Sequence, residues 1–325
     1  MDGSRLKTRD YSPPAWAEER ALVLPDACSG LRLDQALARC IPEYSRTQLR
    51  SWVDAGLVTV EGRPGVAKQR VDGGERVAVR ITALPEGAPD VPEDRPLAVV
   101  FEDDHVLVID KPAGLVVHPG AGNRTGTLLN ALLAHAPQVR DLPRAGIVHR
   151  LDKDTTGLLV VAKTPAAQTS LVRQLHDRTV SRIYRAIVHG RVASGGIVDA
   201  PIGRHPTNRT RMAVIPRGRP ARTHYLPLAG GLHWTHLECR LESGRTHQIR
   251  VHMDHIGHPL LGDPVYGNRH PNRPLAMALA GFGRQALHAC ALQFEHPVTG
   301  QPWRGESPLP ADLGALLHRL EATAC

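Results

Sequence analysis

Apolar residues first recur at helical intervals between residues 33 and 53. In Arg32 to Cys40 the side chains of Leu33, Ala36, Leu37 and Cys40 fall on one face, which predicts a helix. Ser45 as N-cap, with Gln48 completing a capping box, announces a second helix whose apolar stripe is Leu49, Trp52 and Val53. The period then shortens. Leu57 to Val60, a Glu61-Gly62 turn and Arg76 to Val79 alternate as a small antiparallel sheet does. Further along, the pattern predicts strands over 97–101, 106–109, 115–117, 158–162, 183–188, 234–241 and 248–252. It predicts helices over 127–135, with Leu128, Leu129, Leu132 and Leu133 buried, and over 166–177. Strands and helices are interspersed without βαβ alternation, so the expected class is α+β on a mixed, largely antiparallel sheet.

Proline and charge divide the chain. Residues 83–96 hold four prolines and mostly acidic charges and read as an extended linker. The expected organisation is a tail (1–20), a small helix–helix–hairpin domain (21–82), the linker, and a large domain (97–325). The 325 residues include 40 Lys+Arg against 32 Asp+Glu, a formal charge of +8 that favours polyanionic partners, nucleic acid first. No apolar run approaches the ~20 residues of a membrane helix, and the N-terminus has no apolar signal core, so the cytoplasm and a monomer are the expectations. Five scattered cysteines without a C-x-x-C pair read as reduced thiols.

The densest chemistry lies in Gly146 to Gly157, where His149, Arg150, Asp152, Lys153 and Asp154 precede an apolar strand. A calcium loop is excluded because its twelfth position, which needs a bidentate glutamate, is Lys163. A phosphotransfer Asp-x-Asp motif would close a parallel apolar strand, which His149 and Arg150 interrupt. Taken alone, Asp152 fits an Asx turn and Tyr184 a core tyrosine as well as either fits catalysis.

The whole segment, His149-Arg150-Leu151-Asp152-x-x-Thr155-Thr156-Gly157, resembles the signature of the RluA family of pseudouridine synthases. Asp110 to Gly120, Arg182-Ile183-Tyr184-Arg185-Ala186, Gly244 to His252 and Gly262 to Gly267 are each similar to family motifs, in family order. Thr156 and Ser243 depart from the usual residues but keep a hydroxyl. The likeness covers about 97–305, and the N-terminal unit resembles the S4 RNA-binding module. His118 to Asn123 and Arg204 to Thr210 are most similar to members that act on large-subunit ribosomal RNA. This implies uridines of 23S RNA, in the helix 69 hairpin, as substrate; another ribosomal site or transfer RNA is the alternative, and a non-catalytic RNA-binding assembly factor is the rival of another class.

The resemblance implies that Asp152 is the catalytic aspartate, Tyr184 the aromatic side chain against the uracil, and Arg250 the partner of the Asp152 carboxylate. It implies that Arg150 fills the space left by a flipped-out nucleotide and that His149 supports the loop beside the RNA. Isomerisation of uridine breaks one glycosidic bond and makes another within the same nucleotide, so no cofactor or metal is expected. The histidines His247, His252, His255 and His258 have neither the spacing nor the companion ligands of a zinc site. Six arginines and no acid between 201 and 225, among them Arg204, Arg209 and Arg211, together with Arg245, predict a phosphate-binding surface. On the small domain Arg46 and Arg50 share a helix face and are the expected phosphate grips.

Overall fold

A computed structural model of the protein describes residues 18–41, 44, 46–81, 91–120, 122–208, 210–267 and 271–322. The chain divides into two compact units between Val91 and Pro92.

The first unit contains β1 (Glu18–Val23), α1 (Leu33–Cys40), α2 (Arg46–Asp54), β2 (Val58–Val60), β3 (Arg63–Pro64) and β4 (Arg76–Ile81). Its sheet has the order β1-β4-β2-β3, antiparallel throughout. Strand β1 begins inside the segment expected as a tail. Leu33, Ala36 and Leu37 of α1 and Leu49, Trp52 and Val53 of α2 are buried against Val58, Val77 and Val79, so the helical stripes predicted from spacing form this core. The cap expected at Ser45 lies outside the described residues. Cys28 and Cys40 are free thiols with sulfurs 4.0 Å apart.

The second unit opens with Pro92 to Ala98, which has no regular secondary structure. Part of the expected linker is nonetheless fastened down: the Glu93 amide donates to the Asn130 carbonyl at 3.0 Å, and its carboxylate accepts from the Gly126 amide at 2.8 Å. Then come β5 (Val99–Glu102), β6 (Val106–Lys111), α3 (Leu128–His135), β7 (Thr156–Ala162), α4 (Pro165–His176), β8 (Ser181–His189) and β9 (Gly196–Asp199). They are followed by β10 (Ile202–Arg204), β11 (Met212–Val214), β12 (Arg222–Gly230), β13 (Trp234–Leu241) and α5 (Gln248–His255). The unit closes with α6 (Arg273–Ala278), β14 (Leu287–Glu295), β15 (Pro302–Glu306) and α7 (Ala311–Ala322). The large sheet runs β5-β6-β7-β14-β8-β13-β12-β9, with β15 on β14. Among the described residues only β7 and β14 pair in parallel, so the class is α+β on a mixed, largely antiparallel sheet.

Two predicted strands are absent. Residues 115–117 have their carbonyls engaged elsewhere: Leu115 accepts from the Lys111 ammonium, while Val116 and Val117 accept from the first amides of α3. No carbonyl is left for a ladder. Residues 248–252 lie in helix α5. Ile249, Val251 and Met253 alternate with polar residues as in a strand, but Gln248, Arg250 and His252 are buried too, each hydrogen-bonded inside the protein. The alternation therefore reflects two kinds of buried neighbour, not a wet face and a dry one.

Candidate active site

The loop from Ile147 to Thr155 feeds β7 and forms one wall of a cleft of about 270 Å³. Facing it are Arg182 and Tyr184 on β8, Gly244 to Ile249, Arg250 on α5 and Leu287 on β14. The entry into β7 is fixed by backbone geometry. Gly157 has φ +110 and pairs with Ala289, and any Cβ there would collide with the Ala289 carbonyl. The loop is also gripped from beneath. Lys111, fully buried, donates to the carbonyls of Pro112, Leu115 and Lys153 at 2.7, 2.9 and 2.8 Å. Arg284 donates to the Asp154 carbonyl at 3.1 Å, and Gln285 to the Thr155 hydroxyl at 3.0 Å. Leu151, 4% exposed, anchors the turn in the core beside Asp152.

This framework places the Asp152 carboxylate against Arg250, whose Nη1 donates to Oδ2 at 3.0 Å. The same guanidinium makes a forked pair with Asp263, Nε to Oδ2 at 2.7 Å and Nη2 to Oδ1 at 2.9 Å. The Asp263 side chain is wholly buried and also accepts the amides of Val265 and Tyr266. Burial opposes the charge of Asp263, but Arg250 and these amides outweigh it and hold the carboxyl below its ordinary range. Burial likewise opposes the charge of Arg250, and the two carboxylates override it. Oδ1 of Asp152 has His247 Nε2 nearby at 3.9 Å and no hydrogen bond of its own among the described residues. His247 takes a left-handed backbone, φ 57, ahead of α5, and its Nδ1 lies 2.9 Å from the Tyr266 hydroxyl. Arg144, also left-handed at φ 58, lines the same cleft, so two unusual conformations converge there.

Tyr184 is 5% exposed, and burial pushes its phenol above the ordinary range, so it stays protonated. His149 accepts the Val160 amide at Nε2 (3.1 Å), which makes it a strut between loop and strand. Burial and then Arg182 pull its pKa down to about 3. His118 falls to about 4 through burial and the nearby Arg144 and Arg150. The cleft is therefore lined by cations and neutral groups around a single carboxylate, Asp152.

A family model for RNA pseudouridylate synthase matches residues 105–255. Ribosomal large subunit pseudouridine synthase D of Nitrosomonas europaea is 54% identical over 324 residues, covering 98% of this chain and 94% of that protein. The chain belongs to the RluA family of pseudouridine synthases. The like-named protein of Pseudomonas aeruginosa is 52% identical across 93% of this chain and 96% of its own length. Among solved structures, human RNA pseudouridylate synthase domain containing 4 superposes with a TM-score of 0.55 at 27% identity. That match covers 69% of this chain and 93% of the human one. Membership makes the chain an isomerase with RNA as substrate, and the matched residues contain the whole loop, β8 and α5, while Leu287 on β14 lies beyond them.

The residues expected on this pseudouridine synthase from its sequence separate into three places. Asp152, Tyr184, Arg250, Arg150, His149 and Arg245 line the one cleft. Arg204 and Arg211 flank the β10–β11 hairpin, where the Arg211 guanidinium sits 5.1 Å from the centroid of the Tyr266 ring. Arg209 lies outside the described residues. Arg46 and Arg50 belong to the first unit, and neither is a bare cation. Arg46 joins Arg32 on the buried Asp34 carboxylate, at 3.0 and 2.9 Å, and Arg50 pairs with Asp54 at 3.5 Å. Sequence reasoning did not assign roles to Asp263, Lys111, Arg182, Arg284 or His247. Four of them, all but Arg284, lie in the quoted motifs, and their polar side chains amid apolar neighbours were the available signal. Of the four clustered histidines, His247, His252 and His258 enter separate hydrogen bonds, and no three His, Cys, Asp or Glu side chains converge as metal ligands among the described residues. No helix there is long and apolar enough to cross a membrane.

Proposed function

We propose that the cleft isomerises uridine in large-subunit ribosomal RNA, in the helix 69 hairpin, with Asp152 as the catalytic residue. The observation that carries this reading is the asymmetric Asp152 carboxylate: Oδ2 is tied to Arg250 at 3.0 Å, and Oδ1 is left to meet the substrate. Attack at C1′, attack at C6 and removal of a sugar proton all require an ionised carboxylate with one oxygen available. Each route ends in the same exchange: the N1–C1′ bond breaks, the base turns, C5 bonds to C1′, and a proton passes from C5 to N1. A phenol that stays protonated is a poor base, so Tyr184 acts chiefly as the flat surface that holds the detached uracil. Arg150, exposed at the rim, takes the place of the extruded nucleotide in the RNA stack. Arg245, whose Nε donates to the Pro220 carbonyl at 3.2 Å, and the β10–β11 arginines hold flanking phosphates.

The ribosomal substrate is supported by the names of relatives more than half identical over nearly the full chain. The first unit serves as an S4-like RNA-docking module, supported by its helix–helix–hairpin order and its arginines. We expect a cytoplasmic monomer. The test is Asp152→Asn on a helix 69 hairpin. Pseudouridine formation is abolished while RNA binding stays within about threefold, because the phosphate contacts are untouched. Measurable turnover by the variant would remove Asp152 from the chemistry.

A further inference from the structure

Three arginines are buried among the described residues, and two have their counter-charges. Arg250 holds Asp152 and Asp263, and Arg284 holds Asp312 through a fork at 2.7 and 2.9 Å. The third, Arg182, is 7% exposed and has no carboxylate partner among the described residues; its Nε meets no acceptor at all. It stands two residues before Tyr184 on β8, so the strand period turns both side chains into the cleft. Its neighbours there are neutral: His149, which stays unprotonated, and the Tyr184 phenol. Room has been kept for it as well. A Cβ on Gly244 would come within 2.7 Å of Arg182 Nη1.

A buried guanidinium without an anion is strongly unfavourable, and removing it should stabilise the free protein. The anion that RNA carries into a uridine cleft is its phosphodiester. We propose that Arg182 binds a non-bridging phosphate oxygen adjoining the flipped-out target nucleotide, completing its ion pair only when substrate is seated. This rests on reading the cleft as the uridine site. A uracil carbonyl would supply an acceptor but no charge, whereas a phosphate supplies both, in the geometry that an arginine fork matches. Arg182 is thus a substrate-binding residue two positions along the strand from the aromatic surface, setting how deep the nucleotide enters.

The experiment compares wild type and Arg182→Gln in single-turnover isomerisation of a hairpin. The RNA carries either natural linkages or one neutral methylphosphonate, placed 5′ or 3′ of the target uridine. At one of the two positions the neutral linkage slows the wild type by about 10- to 100-fold, the range of a hydrogen bond to a charged group. Arg182→Gln is slowed similarly on natural RNA and is indifferent to that same replacement. Its unfolding midpoint in the absence of RNA is unchanged or raised, whereas a purely structural arginine would lower it on removal. The proposal is overturned if the wild type ignores both replacements, or if the variant is slowed by them as much as the wild type is. Wild-type failure on natural RNA would instead overturn the uridine-site reading, so the two failures are distinguishable.

Discussion

Replacing Arg250 with methionine separates what that side chain does for the fold from what it does for the reaction. Methionine fills a similar volume but removes three hydrogen bonds and leaves two carboxylates without a cation. Asp152 is 15% exposed and can recover some hydration; Asp263 is wholly buried and cannot. Breaking a buried ion pair from one side costs about 3–5 kcal/mol. With a urea slope on the order of 2–3 kcal/mol/M, the midpoint of unfolding drops by roughly 1–2 M. Adding Asp263→Asn removes the stranded charge while its side-chain oxygen can still accept the Val265 and Tyr266 amides. The double variant should therefore regain most of the lost midpoint, a coupling of about 2–3 kcal/mol. Isomerisation should not return, because Asp152 still has no partner. Urea unfolding and single-turnover pseudouridine formation, run on wild type and all three variants, check both halves. A drop below about 0.3 M for Arg250→Met would refute the energetic reasoning, and a double variant that recovers activity would show that Arg250 serves only the fold.

Stability should fall as pH drops from about 6.5 towards 4. The buried His118, His149 and His236 protonate at about 4, 3 and 4 in the folded protein, while the unfolded chain takes up those protons from about 6.5 downward. The unfolded state then binds more protons, so the stability held above 6.5 is lost through this window. Urea midpoints at pH 7, 5.5 and 4.5 measure it. His236→Leu, which removes a buried ring whose Nε2 has no partner, should flatten the decline, and a flat wild-type profile would contradict the assignment. For the first unit, Arg46→Ala with Arg50→Ala should reduce the magnitude of the log K against log salt slope by about one to two units and raise KM with little change in kcat. Asp34 keeps Arg32, so the unit stays folded; an unchanged slope and KM would mean that this helix does not hold RNA.

The parts legible in the sequence are those where spacing and burial agree. Helices α1 and α2 show a wetter face and a dry face, and their apolar stripes sit where the period puts them. Helix α5 was misread because buried polar groups, not solvent, face its polar positions, and residues 115–117 because Lys111 and the first amides of α3 take up their carbonyls. The site shows the same division. Asp152, Tyr184 and Arg250 were legible through motifs carried in order along the chain. Asp263 was not, because the forked bond that makes it necessary joins residues 13 apart across a turn. Arg182 was hidden for the opposite reason. Its significance is the lack of a partner, and spacing cannot show that a side chain is alone.

The single parallel pairing in the large sheet also sets the order in which the site can exist. Strand β14, which aligns β7 and separates it from β8, begins about 125 residues after β7 ends. At synthesis rates of about 5–20 residues per second, the aspartate loop waits roughly 6–25 s for the strand that fixes it. Throughout that interval Thr156 to Ala162, an uncharged stretch rich in valine and leucine, lacks its partner on one edge. A ribosome stalled before residue 287 would thus hold a nascent chain that possesses Asp152 and its loop yet has no finished cleft. The stretch that positions the aspartate in the finished enzyme is the one that most needs shielding while the chain is being made.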